Sequence, residues 1–251
     1  MTRWIRPFVF PALLLSALEL WARTVGAQSD AIAPPSHALR ALGGALTDGS
    51  LLGATGFTLG SAALGLLIGG SLGVALGTLL GLSKRAARLS FVSVEALRPV
   101  PSVALIPLAM LVFGFGLRME VSVVAFACLW PVGLLTQAAV QQVEPRLLEV
   151  ASALQMSAWQ RFTWIVGPAI VPRLFVALRL GVAIALVVAV TVEIAANPNG
   201  MGYAMMIAQQ SLDPALMLAW LFWIGVVGSV VNAGAEWLQR KVAQRMGEVT
   251  A

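Results

Sequence analysis

The sequence predicts an all-α membrane protein with six transmembrane helices. Three observations carry that prediction. First, 59% of the 251 residues are hydrophobic and 11% are charged, whereas a soluble domain carries about 25% charged residues. So few charges cannot cover a water-facing surface. Second, the apolar residues fall into runs long enough to cross a bilayer core of about 30 Å, which takes roughly 20 helical residues. Third, the basic residues gather at the ends of those runs, mostly on one side. The net charge of +5 therefore sets topology in the membrane and does not mark a nucleic-acid partner.

The first run, residues 8–25, contains Glu19. Arg3 and Arg6 precede it and Val25-Gly26-Ala27 follows, so it reads either as a retained first span or as a cleavable signal peptide. Cleavage would leave five spans. The polar stretch 26–50 contains Pro34-Pro35 and then His37 to Leu46, a short interfacial helix. The second span, 51–82, carries Gly65, Gly69, Gly73, Gly77 and Gly81. Four-residue spacing keeps these glycines near one helix face, where a neighbouring backbone can approach closely. That neighbour is either internal or a second subunit. The third span, 100–117, opens with Arg98-Pro99-Val100-Pro101. Pro99 and Pro101 suit a helix start, and Pro107 kinks the interior. Kinks are tolerated in lipid where neighbours re-satisfy the backbone, so Pro101 and Pro107 are candidates for lining a pathway. The remaining spans are 121–140, 174–196 and 215–238.

Charge orients the six spans. Arg3, Arg6, Lys84, Arg85, Arg88, Arg98, Arg146, Arg161, Arg173, Arg179, Arg240, Lys241 and Arg245 fall on one face. The other face holds Arg23, Arg40 and Arg118 and collects Asp30, Asp48, Glu120, Glu193 and Asp213. The positive-inside rule places both termini in the cytoplasm.

The longest cytoplasmic loop runs from Gln141 to Arg173 and has apolar residues at helical spacing. Glu149 to Gln155 reads as one short helix. Ser157 is a suitable N-cap for a second helix from Ala158 to Val166, and Gly167-Pro168 then breaks the pattern. Two short helices lying along a membrane make either a knob that can fit a groove on a soluble partner or an ordinary interfacial helix pair.

Several chemistries are excluded. A lone cysteine, Cys128, permits no internal disulfide and no cysteine metal cluster, and a lone histidine, His37, permits no histidine relay. No Gly-x-x-x-x-Gly-Lys-Ser/Thr occurs, so the chain carries no phosphate loop of its own. Nothing assembles a catalytic site, a metal site or a cofactor site. Ionisable groups at membrane depth cost several kcal/mol unless paired or wet. Glu193 either faces a substrate vestibule or sits at the water interface. Arg179 can snorkel to the inner surface, and Glu19 is interfacial.

The loop also carries a resemblance. Glu149-Val150-Ala151 followed by Ile165-Val166-Gly167-Pro168 resembles the "EAA" motif of permease subunits of bacterial ABC importers, in which Glu-Ala-Ala, three residues, a glycine, about nine residues and Ile-x-Leu-Pro recur. Glu149, Ala151 and Pro168 match in place, and Ser157 with Trp159 resembles the Ser-x-Trp that follows in many members. Arg98-Pro99-Val100-Pro101, Ala104 to Leu108 and Phe113-Gly114-Phe115-Gly116 resemble the third span of the aliphatic-sulfonate, taurine and nitrate importers. Leu178-Arg179, Glu193 and Gly200-Met201-Gly202-Tyr203 are similar to their fifth span and its exit, and the likeness covers about residues 34–247. The chain departs from the pattern at Gln155, where the family has its glycine, at Gly167 for leucine, at Leu186 for tryptophan and at Asn232 for aspartate. The family's glycine lets the chain turn between the two short helices; glutamine turns there only at a steric cost if φ is positive.

The resemblance implies the type I importer permease fold over a single domain, 1–251, with a core at about 51–240 and a coupling segment at 144–172. It implies an ABC ATPase subunit docked through Glu149, Ala151, Gln155, Ser157, Gly167 and Pro168. It further implies a second permease copy, a periplasmic or lipid-anchored substrate-binding protein, and a small anion such as a sulfonate, taurine or nitrate as cargo in a bacterial inner membrane. A non-transporting scaffold, or a channel without an ATPase, is the alternative.

Overall fold

The structure, a computed structural model, describes residues 2–25 and 32–245. At 2–8, 11, 12, 158 and 245 it describes the backbone alone. The Gly26-Ala27 end of the candidate cleavage site lies outside the described residues. Helices account for almost all of the rest: α1 Thr2–Thr24, α2 Pro35–Thr47, α3 Ser50–Leu82, α4 Lys84–Leu97, α5 Ile106–Phe113, α6 Leu117–Gln141, α7 Pro145–Ala153, α8 Ala158–Arg161, α9 Gly167–Ala195, α10 Gly200–Gln210 and α11 Pro214–Arg245. A 3₁₀ turn, Ser102–Leu105, leads into α5, and a π turn, Phe162–Val166, joins α8 to α9. Among the described residues, four helical stretches are long and apolar enough to cross a membrane: Ser50–Leu82, Leu117–Gln141, Trp159–Gln210 and Pro214–Gln244. Lys84–Leu97 with Ser102–Phe113, bent by 81°, makes a fifth if the pair is one span.

Two expected spans differ in the structure. Residues 100–117 do not form one helix. Pro99 and Pro101 interrupt the ladder of backbone donors, a single 3₁₀ turn follows, and α5 ends at Gly114. Pro107 sits in the first turn of α5, where its missing N–H costs nothing, and does not kink an interior. Gly114 (φ 71°) and Gly116 (φ 107°) then reverse the chain in a backbone region open chiefly to glycine. α6 consequently starts at Leu117. The fifth span also starts early. Gly167-Pro168 does not break the helix: Pro168 occupies the first turn of α9, and the Gly167 amide reaches back five residues to the Phe162 carbonyl. That wider π turn carries the helix past the proline.

The bundle is built around α6, which packs against α3 on one side and α9 on another. The glycines of α3 make the first contact possible. A Cβ on Gly69 would overlap the Ala125 carbonyl, one on Gly77 the Gly133 carbonyl, and one on Gly73 would lie 2.7 Å from the Leu129 oxygen. Gly65 and Gly81 face Val124 and Val140 in the same way. The glycine stripe thus faces an internal neighbour. Val123, Val124 and Cys128 of α6 meet Ala185, Ala189 and Val192 of α9 to form the central core. A second core joins Leu51 of α3, Met201 of α10 and Trp220 of α11, and the Trp223 indole donates to Thr55 Oγ1 at 2.8 Å. Large apolar side chains such as Leu67 and Leu111 remain exposed, as lipid-facing residues should.

Short links fix the helix order. Glu19 on α1 accepts from the Ser36 amide (2.9 Å) and hydroxyl (2.7 Å) and from Arg23 (2.6 Å), so it ties α1 to the start of α2. Asp48 accepts from the Ser50 amide at 2.9 Å, and the Ser50 hydrogen bonds hold its carboxyl below the usual range.

Candidate functional site

Residues 145–166 form a compact protrusion at the end of the bundle where α6 stops and α9 starts. Pro145 pre-sets the first turn of α7. The helix ends in a two-bond cap: the Met156 amide reaches the Ala151 carbonyl at 3.0 Å and the Gln155 amide reaches Ser152 at 3.0 Å. This closure requires a left-handed residue between them, and Gln155 supplies it at φ 50°. The next helix starts at once. The Gln160 amide donates to Ser157 Oγ at 3.3 Å, and the Ser157 amide donates back to Gln160 Oε1 at 2.9 Å. That reciprocal pair is a capping box.

One face of the protrusion is anchored and one is open. Ala151 is fully buried. Leu148 and Phe162 pack on a core of Ala139, Val140, Val143, Val166 and Ile170. Glu149 is exposed, as are Leu154 (65%), Trp159 (72%) and Trp164 (75%). Isolated exposed apolar residues are ordinary, whereas Leu154 at the turn, Trp159 in α8 and Trp164 in the π turn, all exposed within eleven residues, have the composition of a contact surface. The structure therefore brings Glu149, Ala151, Gln155 and Ser157 together, while Gly167 and Pro168 start the membrane helix that the protrusion feeds.

The opposite ends of α3, α6 and α9 hold a buried polar cluster that the sequence reading missed. Glu120 was placed among surface charges, yet it is fully buried and accepts hydrogen bonds from the Ser61 hydroxyl and the Asn197 amide group. Glu193 faces neither a vestibule nor the water interface. It too is fully buried and accepts from the Gly202 amide at 2.8 Å. The Met201 amide donates to Thr58 Oγ1 at 3.0 Å. Together these bonds stitch the turn between α9 and α10 onto α3 and α6. A Cβ on Gly200 would overlap the Glu193 carboxylate. A signal was present: Thr58 and Ser61 continue the glycine face of α3 at helical spacing, seven and four residues before Gly65. Elsewhere, Arg179 is paired across to α11, with Nη2 3.0 Å from Glu236 Oε2. Pro101, proposed with Pro107 and Glu193 for the pathway, is exposed at the head of the 3₁₀ turn.

Residues 65–248 match the family described as binding-protein-dependent transport system inner membrane component. The chain belongs to that family. Among curated members, the aliphatic sulfonates transport permease SsuC of Bacillus subtilis (strain 168) is 28% identical over 239 residues, covering 95% of this chain and 87% of the relative. The taurine transport system permease TauC of Escherichia coli (strain K12) is 27% identical over 177 residues, 70% of this chain and 64% of TauC. Among solved structures, a chain of the inward-facing MetNI methionine ABC transporter aligns with a TM-score of 0.67 at 16% identity, covering 75% of this chain and 94% of that one. A chain of an amino acid ABC transporter aligns at 0.65 and 18% identity, covering 81% and 97%. At such identities the structures speak for the fold, which is that of ABC importer permeases. The family match makes this chain a transport permease of the ABC importer class, with several helices in the membrane.

Proposed function

We propose that this permease moves a small anion, a sulfonate, taurine or nitrate, across the bacterial inner membrane, powered by ATP hydrolysis in a separate subunit. Two copies enclose the route, since a bundle of five or six helices is a thin half-shell. Each copy docks one ATPase through the segment 144–172, and a binding protein delivers the cargo at the other face. The whole chain, 1–251, acts as one permease domain with its core at about 51–240. α1 is the first of six spans, and the basic residues at the ends of the others place both termini in the cytoplasm.

The observation that carries this reading is the protrusion 145–166. It is rigidly capped, it is anchored to α6 and α9, and it presents Glu149, Leu154, Trp159 and Trp164 outward. A partner that grips it moves α9 directly, because the π turn passes into the membrane helix without a break. ATP-driven closure of the partner thereby switches the route between two states. The names of the relatives supply the cargo class.

The test is uptake of labelled taurine, ethanesulfonate and nitrate by cells expressing the permease with an ABC ATPase and a binding protein from the same organism. The reading expects ATP-dependent uptake of at least one of them, lost in Glu149→Arg. Uptake that persists without the ATPase, or in Glu149→Arg, overturns it.

A further inference from the structure

The sequence offers one positive charge at membrane depth, Arg179, and the structure pairs it with Glu236. A second arginine takes up that position. Arg98, counted from sequence as a loop residue, lies at the 81° bend between α4 and the helix that follows. It borders a cavity of about 340 Å³ together with Ser102, Trp130 and Val188. The α6 residues on this cavity run from Phe126 to Leu134, the middle of a helix that spans Leu117–Gln141. The cavity therefore lies at mid-span, and its volume is near the lower end of the ligand-pocket range of about 300–1,000 Å³.

The polar side chains on its lining, Arg98, Ser102 and Trp130, can all donate hydrogen bonds. The Arg98 side chain is half exposed, and its one ion pair is a single contact of 3.3 Å from Nη1 to Glu95, three residues back. Such half-exposed pairs are weak, and this one leaves most of the guanidinium fork unused. The Trp130 indole N–H is buried with no acceptor in reach. A buried donor without a partner is costly, and structures rarely keep one without a reason. The Ser102 hydroxyl lies at the start of the 3₁₀ turn. Phe126, Pro131 and Ile184 supply apolar walls. The larger cavity beside α3, about 640 Å³, has no charged residue in its lining.

We propose that this cavity is an anion subsite on the translocation route. The oxyanion group of the cargo sits against the Arg98 guanidinium and accepts from Ser102 Oγ and, after a turn of the indole that brings its buried N–H to the cavity, from Trp130 Nε1, while its alkyl part, where it has one, rests on the apolar walls. Charge-assisted hydrogen bonds to an arginine fork are the strong ones, and the ligand displaces the weak Glu95 contact. The subsite rests on the reading of the chain as an anion permease.

The test is equilibrium dialysis of labelled ethanesulfonate, with nitrate as competitor, against the full-length permease in detergent. The expected result is saturable binding that nitrate displaces. Arg98→Gln lowers the affinity about tenfold and Trp130→Phe about threefold, while Glu95→Gln raises it about threefold by removing the competing carboxylate. A purely structural role for Arg98 would not give opposite signs at positions 95 and 98. Absence of saturable binding to the parent, or parent-like affinity in Arg98→Gln, overturns the subsite. Retention of the ATPase, scored separately on the same preparations, reports on docking and is independent of this outcome.

Discussion

The Met156 amide donates to the Ala151 carbonyl at 3.0 Å, and this bond across the end of α7 holds Gln155 between them in the left-handed region at φ 50°. A side chain there costs about 1–2 kcal/mol relative to an unstrained backbone. Glutamine bears that cost where relatives in the resembled family place glycine. Gln155→Gly is expected to stabilise the protrusion by about 1 kcal/mol, seen as slower hydrogen exchange over residues 150–157, with the ATPase still retained. Gln155→Val, β-branched at positive φ, is expected to speed exchange and weaken retention. Equal exchange in all three proteins contradicts this account of the turn.

The α3–α6 contact gives a position-specific expectation. Gly69→Ala and Gly77→Ala press a methyl group into the Ala125 and Gly133 carbonyls, a backbone clash that no rotamer relieves. Overpacking of this kind costs about 1–3 kcal/mol, read as a lowered Tm in detergent. Gly53→Ala and Gly56→Ala on the same helix meet nothing within 4 Å and are expected to leave Tm unchanged or slightly raised.

Glu120 joins Ser61 of α3 to Asn197 in the turn after α9. Glu120→Ala leaves the Asn197 amide group buried without an acceptor, at about 1–3 kcal/mol, while the Ser61 hydroxyl keeps the Thr58 carbonyl as its acceptor at 2.9 Å. Glu120→Gln keeps a carbonyl oxygen and is expected to lose less than half as much. Thermal unfolding of the two variants beside the parent tests the order; a Glu120→Ala protein as stable as the parent contradicts it.

Arg179 and Glu236 link α9 to α11. Both side chains are about one-third exposed, so the pair contributes on the order of 1 kcal/mol. The exchange Arg179→Glu with Glu236→Arg is expected to recover most of what either single change loses. Arg240, which also contacts Glu236, limits that recovery. A double-mutant cycle measures the coupling, and a coupling of zero contradicts the pair.

The long spans were legible in the sequence because a helix in lipid must be continuously apolar, a signal that length alone reveals. The charge bias was equally plain. What the sequence obscured was broken backbone and buried polarity. Pro107 read as an interior kink because the reading did not locate the helix start at Ile106, which depends on how Pro99 and Pro101 break the preceding turn. Gly167-Pro168 read as a stop because the π turn that carries the helix past it depends on packing of Phe162 and Val166 against α6. Glu120 read as a surface charge because its partners, Ser61 and Asn197, lie far along the chain, and Glu193 read as a pathway or interface charge because the Gly200–Gly202 turn that buries it is held by the distant Thr58. The candidate docking segment was legible for a different reason. Its caps are local, so Ser157, Gln160 and the turn at Gln155 are set within a few residues.

The central claim is that residues 145–166 grip an ATPase. It is tested most directly by affinity purification of the permease from cells that co-express the ABC ATPases of the same organism, with the retained ATPase quantified for the parent, Glu149→Arg and Trp159→Ala. The account predicts about one ATPase per permease chain in the parent and loss of at least nine-tenths of it in Glu149→Arg, with Tm unchanged because Glu149 is exposed. A parent that retains no ATPase, or variants that retain it fully, would contradict the account.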